Sequence, residues 1–564
     1  MKKRIVICEY ISTGHNLVYD ALSRGYEPVL LDCSYVAEEA DAEDFRAARE
    51  AVFSRLPKGL IRIAENPDYS AVLEQVRALD PILVIAGSEF GVPYATRLAS
   101  DLGLPGNPAD CLKAMTEKDA MHQALKDAGV RYIRGQVITT VEEAKVYYQE
   151  LGTENVVVKR VRGAGTQGVY LCKGMDEMVA AIEKEMELSS HVENNGEAVA
   201  LLIQERIMGT EYIVNTCSCQ GKHRMVSMWK YDKVKMANGT NAYNYAQTVN
   251  HLDIGHSRLV NYAFDVLDAI GIQYGPVHGE YMIDEKGPVL IEVNCRPMGA
   301  GMSRKFMEKI FGHHETDCAL DSYLDPEKFE QDMNRPYRPL RKGAMKFFIL
   351  PKDIAAESTP IVPISRRLKS FYKGLFDRVG RELLITQTKN LETTGGMIYM
   401  IHEDEQVVMD ECELLHTIEM QYLDILFQPE SREKAEIAPA DLAAIMREMK
   451  CGGGTLVFSD SNPRLEGATV IGEDELRSAY DSYEQGILDL RKGETFADLE
   501  IVIQQIYEFA DKIREGGRII IPESTYANLP YGMEGMEILL RITGLRIEAP
   551  RAGMKNVLIA SVVK

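Results

Sequence analysis

Two acidic residues on neighbouring strand-like runs constrain this chain more than any other feature. Val277 to Asp284 reads Val-His-Gly-Glu-Tyr-Met-Ile-Asp. Glu285-Lys286-Gly287-Pro288 then reads as a turn, and Val289 to Pro297 as Val-Leu-Ile-Glu-Val-Asn-Cys-Arg-Pro. The apolar run Val289–Ile291 and the Gly-Pro turn predict a β-hairpin, with Glu280 and Glu292 side by side. The amide of Asn294 and the guanidinium of Arg296 then fall on the same patch. Hard oxygen ligands of this kind suit Mg²⁺ shared with phosphate. A cation beyond the amide suits a carboxylate or phosphorylated substrate. The competing reading of the hairpin alone is an exposed turn carrying surface charge.

A chain of 564 residues exceeds what one core can organise, which predicts three or four domains. The net charge of −21 argues against general nucleic-acid binding, because no basic excess is present to neutralise phosphates. The basic start, Met1-Lys2-Lys3-Arg4, passes directly into a short strand, so no secretory leader is expected. No apolar run approaches the ~18 residues that span a bilayer. Ten cysteines lie scattered without a CxxC pair. Reduced thiols in a cytoplasmic protein, with no membrane partner, are the expectation.

Strands and helices alternate over roughly the first 110 residues: Arg4–Cys8, Asn16–Arg24, Pro28–Asp32, and later Pro81–Gly87. Such alternation predicts a parallel sheet with crossover helices. Ser12-Thr13-Gly14 follows the first strand, where such sheets bind ligands, but without GxGxxG it reads as a structural turn. Cys111 to Gly129 reads as helix and contains Lys118. Asn155–Lys159 is a strand ending in lysine, Arg160 to Gly168 a basic, glycine-rich loop, and Val169–Cys172 the returning strand. Glycines let backbone N–H groups approach phosphate oxygens. Ala200–Glu205 is an apolar strand that enters a polar hinge before Gly209-Thr210-Glu211.

In this order and spacing, Lys118, Lys159 with its glycine loop, Gln204-Glu205 with Glu211, Glu280, and Glu292-Val293-Asn294-Cys295-Arg296-Pro297 closely resemble the ATP-grasp superfamily of carboxylate ligases, over about residues 1–425. Gly103-Leu104-Pro105-Gly106-Asn107, and Met298-Gly299-Ala300-Gly301 after the metal site, resemble the branch that makes dipeptides and related amides.

The resemblance implies an α/β and α+β multidomain chain. Residues 1–112 would form a Rossmann-like domain preceding the ATP-grasp domain. Residues 113–325 would form that domain, with a lid over about 135–205, and 326–429 would complete the ligase. Lys118 and Lys159 would contact ATP phosphates, and Gly163, Gly165 and Gly168 would belong to the lid loop. Gln204, Glu205 and Ile207 would face adenine, and Glu211 the ribose. Glu280, Glu292 and Asn294 would hold two Mg²⁺ ions, with Mn²⁺ as a substitute. Arg296 and Lys159 would serve catalysis, and Arg296, Gly299 and Gly301 the acid substrate. The implied reaction joins a carboxylate to an amine through an acyl phosphate, releasing ADP and phosphate. A carboxylase or purine-pathway ligase of the same superfamily, and a non-catalytic nucleotide-binding regulator, are the rival readings.

The last segment differs. Glu430-Ser431-Arg432-Glu433-Lys434 reads as a charged linker. Thr455–Asp460, a helix over Ile501–Arg514, Gly516-Gly517-Arg518 running into Ile519–Pro522, and a closing antiparallel hairpin at the end resemble part of a class I methyltransferase. No glycine-rich loop follows a first strand, and Cys451-Gly452-Gly453-Gly454 precedes one instead. A degenerate, non-methylating domain over 430–564, packing on the ligase or pairing two chains as a homodimer, is the expectation.

Overall fold

The computed structural model describes residues 2–33, 39–161, 168–190, 200–236, 241–355, 359–376, 384–389, 391, 393–427, 440–451, 454–459, 463–476, 483–490, 496–527, 529, 531–548 and 557–563. Two compact units divide the chain. The first comprises 1–232 with 246–342, and the second 233–245 with 343–564. No described helix is long and apolar enough to cross a membrane.

The first unit opens with a four-stranded parallel sheet, ordered Ile61–Ile63, Glu27–Leu31, Arg4–Cys8, Pro81–Ala86. Its strands are apolar on both faces, as a parallel sheet covered by helices requires. Ile5, Ile7 and Leu83 bury on one side, with Leu17 and Val18 of the helix His15–Ser23. Val6, Val29 and Val84 bury on the other, with Val72 and Leu98. Glycines bring the carboxyl ends of these strands together. A Cβ on Gly14 would stand 2.5 Å from the Gly87 carbonyl oxygen, and one on Gly91 1.9 Å from that of Cys8.

The expected helix 111–129 is broken. Glu117, with extended backbone, separates Leu112–Thr116 from Lys118–Asp127. Lys118 thereby becomes the first residue of a helix, at its electropositive end. A small antiparallel sheet follows, ordered Gly135–Ile138, Leu201–Glu205, Asn155–Arg160, Tyr170–Lys173. Its own core includes Ile138, Leu151, Val156, Val158 and Ile203. The larger sheet of this unit runs Gly287–Asn294, Gly275–Asp284, Thr210–Cys219, Lys222–Lys235. Tyr281, Leu290 and Val293 enter the core shared with the helix Ile254–Ile270, because the bulge between Glu280 and Tyr281 resets the alternation and puts Leu290 and Val293 on one face, with the carboxylates on the other.

In the second unit, Ala344, Phe348, Ile398, Phe458 and Phe509 belong to one continuous core, which spans the parts read from sequence as separate domains. A six-stranded sheet carries its C-terminal part. The strands Ala468–Ile471, Thr455–Ser459, Tyr483–Asp489 and Ile513–Pro522 are parallel, and Val557–Val562 with Leu545–Ile547 closes the sheet antiparallel. The helix expected over 501–514 is Phe496–Ala510, and Ile513 already belongs to the next strand. The linker residues 430–434 and Gly452-Gly453 lie outside the described residues.

One charged pair lies wholly inside this unit. Lys346 Nζ donates to both carboxylate oxygens of Glu419, at 2.6 and 2.7 Å, with both side chains fully buried. Glu419 also accepts the Ile349 N–H at 3.2 Å. Removing one partner strands a buried charge, which costs about 3–5 kcal/mol, whereas replacing both with apolar residues is often neutral. Lys346→Ala should therefore lower the denaturation midpoint of the second unit markedly. Lys346→Met with Glu419→Leu should recover most of the loss, and urea unfolding followed by circular dichroism measures both.

Candidate active site

Glu280 and Glu292 are direct cross-strand partners, and a bulge follows immediately between Glu280 and Tyr281. Two carboxylates opposite each other repel unless cations intervene. Lys118 Nζ lies 3.1 Å from Glu292 Oε2, and Asn294 Nδ2 donates to Glu292 Oε1 at 3.4 Å. Burial alone would raise the Glu292 carboxyl, but Lys118 and Lys159 overcome it and hold the group down to about 2. Lys159 is buried on the strand Asn155–Arg160, opposite Leu202. Burial, then the neighbouring charge of Lys118, lowers its ammonium to about 8 against the pull of Glu292 and Glu280. Lys118 is raised, because Glu292 outweighs burial.

His278 fills a core position and supports the site at the same time. The ring is buried between Asn215 Oδ1, 2.8 Å from Nδ1, and Glu280 Oε1, 3.2 Å from Nε2. Tyr231, on the strand Lys222–Lys235, has its hydroxyl pushed well up by burial and by the charges of Glu280 and Glu211.

Arg296 reaches a partner the sequence reading missed. Its Nε lies 3.3 Å from Glu89 Oε2, and burial raises the Glu89 carboxyl even though Arg296 opposes the rise. Glu89 follows the strand Pro81–Ala86, at the carboxyl edge where parallel sheets place ligands, and that position was the available signal. Lys118, Lys159 and Arg296 thus face Glu89, Glu280 and Glu292.

The remaining expected residues fall as follows. Gly163 and Gly165 lie outside the described residues, and Gly168 sits at φ 65° beside Arg160 and Glu185. Gln204 is buried, and its Nε2 has no hydrogen-bond partner among the described residues. The Glu205 carboxylate is committed to Arg134, accepting from its backbone N–H at 3.0 Å and from its guanidinium at 2.8 and 3.1 Å. What Glu205 can offer a base is therefore its backbone. Ile207 is half-buried in the hinge, and Glu211 is the second residue of the strand Thr210–Cys219, paired with Met282. Gly299 and Gly301 follow Arg296 in a loop bonded to Ser12 and Thr13.

Among the described residues no three or more His, Cys, Asp or Glu side chains converge as a self-sufficient metal site. Two carboxylates and an amide fit Mg²⁺ that takes its remaining ligands from phosphate and water, the habit of that ion.

The depressed Lys159 ammonium has a consequence for pH. Below pH about 8 the side chain is charged and can pair with phosphate, and above it the charge is lost. The unfolded chain, with an ordinary lysine, binds the extra proton between about 8 and 10.5, so this group makes folding stability rise with pH across that window. ATP affinity should run the other way. At pH 9 a group titrating near 8 is about one-tenth protonated, so the ATP dissociation constant should rise roughly tenfold between pH 7 and 9. Lys159→Arg, which stays charged, should flatten that profile in isothermal titration.

Residues 153–304 match the family described as ATP-grasp domain. Dapdiamide A synthase of Enterobacter agglomerans is 27% identical over 362 residues, 64% of this chain and 82% of that protein. The L-amino acid ligase of Bacillus licheniformis superposes at a TM-score of 0.57 with 18% identity, over 74% of this chain and 97% of the other. The biotin carboxylase domain of the Hydrogenobacter thermophilus 2-oxoglutarate carboxylase, solved with MgADP and bicarbonate, superposes at 0.50 with 15% identity, over 76% and 96%. None of the three is a methyltransferase. The chain carries an ATP-grasp domain, and carboxylate–amine ligases stand among its relatives.

Proposed function

We propose that this chain is a cytoplasmic ligase that uses ATP and Mg²⁺ to join an amino acid or small acid to an amine through an acyl phosphate, releasing ADP and phosphate. The observation that carries the reading is the opposition of Glu280 and Glu292 in register, flanked by Lys118 and Lys159 on one side and Arg296 with Glu89 on the other. Glu280, Glu292 and Asn294 would hold Mg²⁺, which screens the repulsion between triphosphate and substrate carboxylate when bound.

The chain's own residues supply the rest. A carboxylate is too poor an electrophile for an amine to attack. Lys118 and Lys159 draw the triphosphate toward the hairpin, and Arg296 holds the acid's carboxylate in line with the γ-phosphorus. A carboxylate oxygen attacks that phosphorus, the bond to the β-phosphate oxygen breaks, and ADP leaves. The amine nitrogen then attacks the acyl carbon, phosphate departs, and the nitrogen loses a proton. Phosphoryl transfer asks for positioning and charge more than for side-chain acid–base work, which matches a site built from fixed cations and carboxylates. Glu89, a carboxylate beside Arg296, supports an acid that carries an ammonium group. The relative named L-amino acid ligase supports the same substrate class.

For residues 430–564 we propose a methyltransferase-like fold without a working cofactor cradle. Parallel strands closed by an antiparallel hairpin support the fold. Isothermal titration with S-adenosylmethionine should show no binding, and micromolar binding would overturn this part of the proposal.

The main test is chemical. With ATP, Mg²⁺ and a panel of acids, the protein should release ADP slowly without amine, and hydroxylamine should trap a hydroxamate. Glu292→Gln should abolish both while leaving the circular dichroism spectrum unchanged. Release of AMP and pyrophosphate, or near-normal ADP production by folded Glu292→Gln, would sink the reading.

A further inference from the structure

The loop that follows Arg296 is held by side chains from the start of the chain. Thr13 Oγ1 donates to the Gly299 carbonyl at 3.1 Å and accepts the Met302 N–H at 2.9 Å. Ser12 Oγ accepts the Gly301 N–H at 3.2 Å, and Asn16 Nδ2 donates to the Met302 carbonyl at 2.7 Å. Behind the loop, Glu315 Oε2 accepts the Met298 N–H at 3.0 Å. The backbone here needs such support. Ala300 sits at φ 61° and Ser12 at φ 52°, a region that residues with a Cβ disfavour and that persists only where surroundings enforce it.

The same turn also braces the other side of the site. Gly14 is pressed against the backbone of Gly87, two residues before Glu89. Glu89 and Arg296 meet at 3.3 Å. Ser12-Thr13-Gly14 therefore touches both the loop leaving Arg296 and the turn leading to Glu89. Thr13 does two jobs with one hydroxyl, donating and accepting at once, and among side chains of its shape valine can do neither.

We propose that Thr13 is a positioning residue that sets the affinity for the acid substrate. It holds Gly299–Met302, and through that loop Arg296, in the geometry that receives the carboxylate opposite Glu89. The proposal rests on the ligase reading above. Both hydrogen bonds of the Thr13 hydroxyl go to this loop and none to a residue assigned to ATP, so its loss should leave ATP binding intact.

The experiment compares wild type, Thr13→Val and Thr13→Ser in ADP release, using an acid that the wild type accepts. Amide exchange is followed by mass spectrometry on the peptide spanning 298–303. Thr13→Val should raise KM for the acid roughly tenfold, the scale of two lost hydrogen bonds. Its kcat should stay within about twofold, its KM and thermal shift with ATP should not move, and its Gly301 and Met302 amides should exchange faster. Thr13→Ser should restore all of these values. Should Thr13→Val fold poorly, Ser12→Ala removes one acceptor from the same loop, and about a threefold rise in acid KM is expected, on the scale of one lost bond. Unchanged acid KM or unchanged exchange, or equal rises in the acid and ATP constants, would overturn the role. A wild type that releases no ADP with any acid overturns the ligase reading itself, and Thr13's role falls with it. An active wild type matched by its variants overturns only the role of Thr13.

Discussion

Everything at this site depends on keeping two carboxylates together. Glu280 and Glu292 stand opposite each other across a hairpin, where two like charges repel unless cations intervene. Lys118 and Lys159 prevent that for Glu292, holding it ionised despite its burial. The lysines in turn depend on the carboxylates: Lys159 is lowered by burial and by Lys118, and only the acidic pair limits the fall. The cluster thus sets the cations of Lys118, Lys159 and Arg296 against the carboxyl groups of Glu89, Glu280 and Glu292.

This balance explains the local architecture. Lys118 comes from a helix that begins where Glu117 breaks the chain, and Lys159 from a separate small sheet with its own core. The hairpin is the fixed reference, because Tyr281, Leu290 and Val293 on its reverse face are packed into the core. The bulge after Glu280 shifts the register exactly where the carboxylate face meets that packed face.

The N-terminal sheet contributes more than a platform. Glycines at 14, 87 and 91 let its loops approach closely enough for a hydroxyl and a carboxylate to act on the same neighbouring loop. In the second unit, by contrast, the buried Lys346–Glu419 pair meets no described group of the reaction and reads as a feature of its own core.

The hairpin, its facing carboxylates, the parallel N-terminal sheet and the two lysines were legible in the sequence by itself. The lysines stood out through the order and spacing of the family resemblance, and the first three are local patterns of alternation and turn signals. The closing antiparallel hairpin at the end of the chain was legible for the same reason. Helix limits near 117 and 510 were not, because a single extended residue or an early strand start leaves little trace in periodicity. Glu89 beside Arg296, Thr13 beneath Gly299 and Arg134 on Glu205 were decided only by the tertiary structure. These partners lie far apart in the chain, and burial with glycine-permitted close approach, not local spacing, brings them within hydrogen-bonding distance.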